Sequence, residues 1–168
     1  LVTPEYEPQS PLPISPPFAE PSAEERWQVE RGMLVLSEAA TRHKINVCLE
    51  PITQFESRHC RDVAGALNRV SSLGNARMQL ALDTHNMNIT EACIEGSIRM
   101  AGGCIGHVHL ADSNRLLPGK GHINFAGVFD ALRDAHYAGW FSFECGVPGD
   151  FVSEMRSCIA SLQAMREK

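Results

Sequence analysis

Four short apolar runs, each closing on a residue that can hold a cation or move a proton, constrain this chain more than any other feature. They are Ile45–Glu50, Met78–Asp83, Cys104–His109 and Trp140–Glu144. Each is followed by a helical pattern, and alternation of this kind spells parallel βα units. Side chains alternate across a strand. Glu50 therefore shares a face with Cys48, Asp83 with Ala81, His109 with His107, and Glu144 with Ser142. A lone buried glutamate is costly unless it is paired or bound to a cation. Glu50, between Leu49 and Pro51, and Glu144, between Phe143 and Cys145, stand in such positions.

The βα rhythm predicts an α/β fold of the (β/α)₈ barrel type. In such a barrel a polar residue at the C-terminal end of a strand sits on the active-site face. Three carboxylates and one imidazole meeting there suit a hard divalent cation. His107, one layer lower, reads as a hydrogen-bonded core histidine. A whole barrel typically needs ~250 residues, and this chain has 168. It is read as the C-terminal part of a single barrel domain over 1–168, about units four to eight. Leu1-Val2-Thr3-Pro4 reads as the end of a strand. Residues 4–21 hold seven of the ten prolines, which excludes helix or central strand, so 1–21 is read as a strand stub and a proline-rich loop over the mouth of the site.

Helices are expected at about 22–43, 58–70, 91–101, 125–136 and 151–166, from apolar periodicity and flanking breakers. Ser22 and Glu25 have capping-box spacing. Thr90, Asn124 and Asp150 are the expected caps of the last three. In the final helix Met155, Ile159 and Leu162 are expected to face inward. The resulting open sheet would expose its edges, so a second copy or the missing N-terminal barrel part is the expected protein partner.

Net charge is −5 and no basic run occurs, which argues against nucleic acid as a partner. No apolar stretch approaches the ~20 residues of a membrane span. The six cysteines form no CxxC pair. Cys48, Cys104 and Cys145 lie in or beside strands, where a free thiol acts as a small apolar group, and a cytoplasmic protein with reduced cysteines is the expectation.

The motifs, taken together and in order, resemble the xylose isomerase-like barrels. They are Cys48-Leu49-Glu50-Pro51 with Phe55-Glu56, Leu82-Asp83-Thr84 with Met87-Asn88, His107-Val108-His109 with Asn114-Arg115, Pro118-Gly119-Lys120-Gly121-His122-Ile123, and Phe143-Glu144. The nearest resemblance is to the sugar isomerase/epimerase branch that includes the ketose 3-epimerases, over roughly residues 45–145. It implies a divalent metal, Mn²⁺ or Mg²⁺, on Glu50, Asp83, His109 and Glu144. It implies that Glu50 and Glu144 are catalytic and exchange the proton next to the carbonyl of a small keto sugar, through an enediolate. Removing that proton needs a base and returning it needs an acid.

Glu56 and Arg115 match positions that bind substrate oxygens in the family. Members often carry a histidine three positions after the aspartate. Here that position is Asn86 and the histidine is His85, so both are assigned to substrate binding, with His85 reaching inward in one reading. Gln54 also stands where a basic residue is common. The Pro118–Gly121 segment reads as a shaped turn rather than a phosphate loop. A metal-dependent dehydratase or lyase of a polyol, or a non-catalytic barrel remnant, are the alternatives to the isomerase reading.

Overall fold

A computed structural model describes residues 20–166. In chain order the elements are α1 (Ala23–His43), β1 (Val47–Leu49), α2 (Val63–Ser72), β2 (Met78–Asp83), α3 (Thr84–Thr90), α4 (Ile94–Ala101), a 3₁₀ turn (Gly102–Cys104), β3 (Ile105–Leu110), α5 (Phe125–Asp134), β4 (Phe141–Phe143) and α6 (Phe151–Arg166). The strands form one sheet in the order β1-β2-β3-β4, and all three pairings are parallel. Sequence order equal to spatial order is the barrel pattern. A doubly wound sheet would reverse direction part-way across. The expected strand stub and most of the proline-rich loop lie outside the described residues.

The hydrophobic core fills the space between the sheet and its helices. Leu80, Leu82, Ile105, Val108 and Leu110 meet Val63, Ala66, Val70, Ile98, Val128 and Leu132, among others, all buried. The opposite face of the sheet is polar and small. There His107 Nε2 lies 2.7 Å from Ser142 Oγ, which matches the reading of His107 as a hydrogen-bonded histidine below the strand ends. A register shift between Leu80 and Ala81 gives β3 one extra residue, Gly106. A Cβ on Gly106 would collide with Gln79 and Cys48. The extra residue is thus one with no side chain to place, and His107 and His109 stay level with Ala81 and Asp83.

Local chemistry fixes the helix ends. Ser22 and Glu25 form the capping box, and Glu25 also receives Arg58 at 2.9 Å, which ties the loop after β1 to the start of α1. Asn124 and Asp150 accept the N–H groups of Gly127 and Ser153. All six cysteines are free thiols.

Three expectations need correction. The second helix starts at Val63, not near residue 58, because the carbonyl of Thr53 accepts both Glu56 N and Ser57 N and holds the preceding segment as a turn. Asp62 then caps the helix through Gly65 N. The third helix starts at Ile94 with Cys93 as its cap, and Thr90 instead ends an unexpected helix, α3, which follows Asp83 with no loop at all. In α6 the inward stripe is Met155, Cys158 and Leu162, while Ile159 is 40% exposed.

Candidate metal and proton-transfer site

Glu50 follows the last residue of β1, Asp83 ends β2, His109 is its register partner on β3, and Glu144 follows β4. The four adjacent strand ends therefore deliver one side chain each to a common point. One ligand atom from each lies within 4.8 Å of every other. His109 Nδ1 stands 2.9 Å from Glu144 Oε2, 3.5 Å from Glu50 Oε1 and 3.9 Å from Asp83 Oδ2. None of these approaches has the alignment of a hydrogen bond, and both His109 Nδ1 and Asp83 Oδ2 are buried without a hydrogen-bond partner. Buried polar atoms are seldom left so. Donors on opposite sides of one cation at 2.0–2.6 Å stand about 4–5 Å apart. The span, the orphaned atoms and the oxygen-rich donor set fit a single hard divalent cation.

Asp83 divides its carboxylate between two tasks. Oδ1 accepts Asn86 N at 2.9 Å and caps α3, while Oδ2 faces the other three donors. Its side chain is fully buried, and that burial pushes its carboxyl up to about 6. The Asn86 N–H and Arg115 pull it back, and Glu144 and Glu50 push it further up. His109 is also raised, first by the Glu50 carboxylate, against the pull of its own partial burial, and then by the charges of Glu144 and Asp83. These directions describe three anionic groups crowded around one point.

Of the other expected site residues, two join the group. Asn86 is buried, and its Nδ2 lies 3.4 Å from Glu50 Oε1. Arg115 donates to Asn86 Oδ1 at 3.3 Å and lies 3.3 Å from Glu144 Oε2 and 3.9 Å from Asp83 Oδ2. His85 is instead bonded through Nδ1 to the carbonyl oxygen of Asp112, at 3.1 Å. The contact beside the strand ends is made by Asn86. Glu56 accepts from Thr53 Oγ1 at 3.0 Å in the loop after β1. The Pro118–Gly121 turn offers its amides internally. Gly119 N donates to Asp112 Oδ2 at 2.8 Å, so that amide is not available to cradle a phosphate.

Asp112 is the residue that sequence reasoning passed over. It is fully buried. Burial works to raise its carboxyl, yet the backbone N–H groups of Ile123, Ser113, Gly121 and Gly119 together hold it below the usual carboxylate range. The only signal was its place at the head of Asp112-Ser113-Asn114-Arg115, directly after β3.

Fold and site together define a class, and residues 8–168 match the xylose isomerase-like TIM barrel family. The chain belongs to that family. Among its relatives it is 34% identical over 143 residues to a D-psicose 3-epimerase of Enterocloster bolteae, covering 82% of this chain and 48% of the relative. It is 37% identical over 121 residues to an L-ribulose 3-epimerase of Mesorhizobium japonicum, covering 71% and 41%. The solved structure of an L-ribulose 3-epimerase superposes with a TM-score of 0.82 at 28% identity, over 89% of this chain and 56% of that one. The chain thus spans about half the length, or less, of these curated relatives, and they are sugar epimerases. No helix among the described residues is long and apolar enough to cross a membrane.

Proposed function

We propose that this chain carries the metal-binding and proton-exchanging part of a ketose 3-epimerase, with residues 1–168 as the C-terminal portion, about units four to eight, of one barrel. The observation that carries the reading is the meeting of four ligand atoms within 4.8 Å at four adjacent strand ends. Glu50, Asp83, His109 and Glu144 would hold the cation, Mn²⁺ or Mg²⁺ by the hardness of the donors. When bound, it supplies Lewis-acid polarisation of the ketose oxygens.

The rest of the chemistry belongs to side chains. Glu50 and Glu144 stand just past the ends of β1 and β4, the two outer strands among the described residues, and so bracket the point of convergence. One takes the proton from the carbon beside the carbonyl, and the other returns a proton to the opposite face. Inversion requires this, since a single carboxylate would return the proton to the face it left. Arg115 and Asn86 orient the substrate oxygens. Asp83 and His109 lie deeper and keep their places. Glu56 and His85 contribute to the wall of the sugar site. The barrel is closed by further barrel sequence or by a second copy, and the setting is cytoplasmic.

The test uses the chain in its closed barrel, with the further barrel sequence or the second copy in place, and saturating Mn²⁺ in D₂O, offered D-psicose and L-ribulose, the ketoses named in two relatives. Deuterium at C3, with the C3 epimer as product, is the expected result. A chain that binds Mn²⁺ yet incorporates no deuterium into either ketose would sink the reading and favour a polyol lyase or a non-catalytic role.

A pH dependence follows from the same site. The ligands must shed their protons to bind a cation, and both Asp83 and His109 are raised. Because Asp83 titrates higher in the folded chain than in the unfolded one, the cation-free fold gains stability at low pH. It loses that gain as pH rises through about 6. Mn²⁺ restores what is lost. The Mn²⁺-induced rise in Tm is expected to be small near pH 5 and to grow toward neutral pH, as scanning fluorimetry at fixed ionic strength will measure.

A further inference from the structure

We infer that Asp112 is a positioning residue, which fixes the loop that carries Arg115 and through it steadies the Glu144 segment. The kinetic part of this inference rests on the epimerase reading, and the structural part does not. The Asp112 carboxylate accepts from Ser113 N at 2.7 Å, Gly119 N at 2.8 Å and Ile123 N at 3.1 Å. Its own N–H donates to the carbonyl of Leu116, and its carbonyl accepts from Arg115 N, both at 2.8 Å. One buried side chain thus gathers both ends of the segment 112–123. Hydrogen bonds to a charged acceptor are the strong ones, and the wrap is close enough that a Cβ on Gly121 would run into the carboxylate.

Arg115 has a reason to need this hold. Its φ is +58°, a left-handed conformation that a residue other than glycine adopts only when its surroundings impose it. From that conformation its guanidinium reaches Asn86, Glu144 and Asp83. Its carbonyl accepts Gly146 N at 2.8 Å, and Leu116 bridges to Gly146 as an isolated parallel pair. Gly146 lies two residues past Glu144. A shift of the Arg115 backbone is therefore passed to one of the two carboxylates proposed to move the proton.

The test compares the chain with Asp112→Asn, which keeps the shape but loses the charge, and with Gly121→Ala, which keeps the charge but crowds it. Trypsin cleavage after Arg115 and Lys120 is expected to quicken about tenfold in both, as for the loss of one charge-assisted hydrogen bond. Cleavage after Arg99 and Arg133, in α4 and α5, should stay within about twofold, since both sites lie within helices, outside the segment that Asp112 gathers. With saturating Mn²⁺ the KM for the ketose should rise about tenfold in Asp112→Asn. The same change made in an Arg115→Met background should cost less than about twofold more, the sign of two residues acting as one.

Even quickening of cleavage along the whole chain would overturn the inference, for Asp112 would then serve global stability alone. So would a full KM penalty in the Arg115→Met background. If the unaltered chain exchanges no ketose proton, the epimerase reading falls, and the cleavage pattern still decides the role of Asp112.

Discussion

Glu144→Gln is expected to cut ketose turnover by about 10²–10⁴-fold, the usual contribution of a placed acid or base, while leaving the fold intact. Glutamine keeps the shape of the side chain and loses both its charge and its capacity to carry a proton. The Glu144 side chain is about half exposed, so the substitution buries no new group and should hardly move the melting temperature. Glu50→Gln is expected to be as damaging from the other side of the sheet. Both assays need saturating Mn²⁺, since each variant also loses a ligand. The decisive signal is solvent deuterium at C3 measured apart from net epimerisation. A variant lacking one of two carboxylates blocks inversion, yet can still let the remaining carboxylate exchange the proton from its own face. Near wild-type turnover in both variants would refute the two-glutamate mechanism.

Asp83→Asn should separate stability from cation binding. Asn86 N can still donate to the remaining carbonyl oxygen, so the cap on α3 survives. The buried, unpartnered Oδ2 is replaced by a neutral amide. Mn²⁺ affinity should fall at least about 100-fold, because even changes to groups that merely support metal ligands cost 10–100-fold. Without cation the variant should be more stable than the parent at neutral pH, by about 1–3 kcal/mol, the cost of a buried polar group without a partner. Calorimetry gives the affinity and denaturant titration the stability. If the variant keeps parental Mn²⁺ affinity, Asp83 is not a ligand.

The four side chains that converge were legible in the sequence because a strand end is a simple local object: an apolar run, then one polar residue. The bounds of the central strand β2 were equally plain. The edge strands β1 and β4 came out shorter than their apolar runs, since each pairs on one side only among the described residues. Helix α3 was not legible. Its sequence, Thr84-His85-Asn86-Met87-Asn88-Ile89-Thr90, is poor in helix formers, and seven residues are too few for a periodic signal. It forms because Asp83 caps it. That cap also explains why Asn86 and not His85 lies beside Glu50. In a helix the third residue after the cap returns to the cap's side of the axis, while the second points elsewhere. The role of Asp112 was hidden for a different reason. Its partners, Gly119, Gly121 and Ile123, follow it by seven, nine and eleven residues in a segment that is neither strand nor helix, and only the folded loop shows that they all face one carboxylate.

The distribution of the ligands, one to each strand, has a consequence for how the chain verifies its own assembly. The four are separated by 33, 26 and 35 residues, so no single βα unit owns more than one of them. A strand that slips by one residue turns its entire inward row to the opposite face. Such a slip would remove one donor and leave a cation with three, however well the helices still packed. If the four hold a cation as proposed, capture at full affinity requires all four strands to be in register at once. For a sheet built from long-range parallel contacts, the kind that forms slowly, uptake of the proposed cation would tell a correctly threaded molecule from one that is merely collapsed.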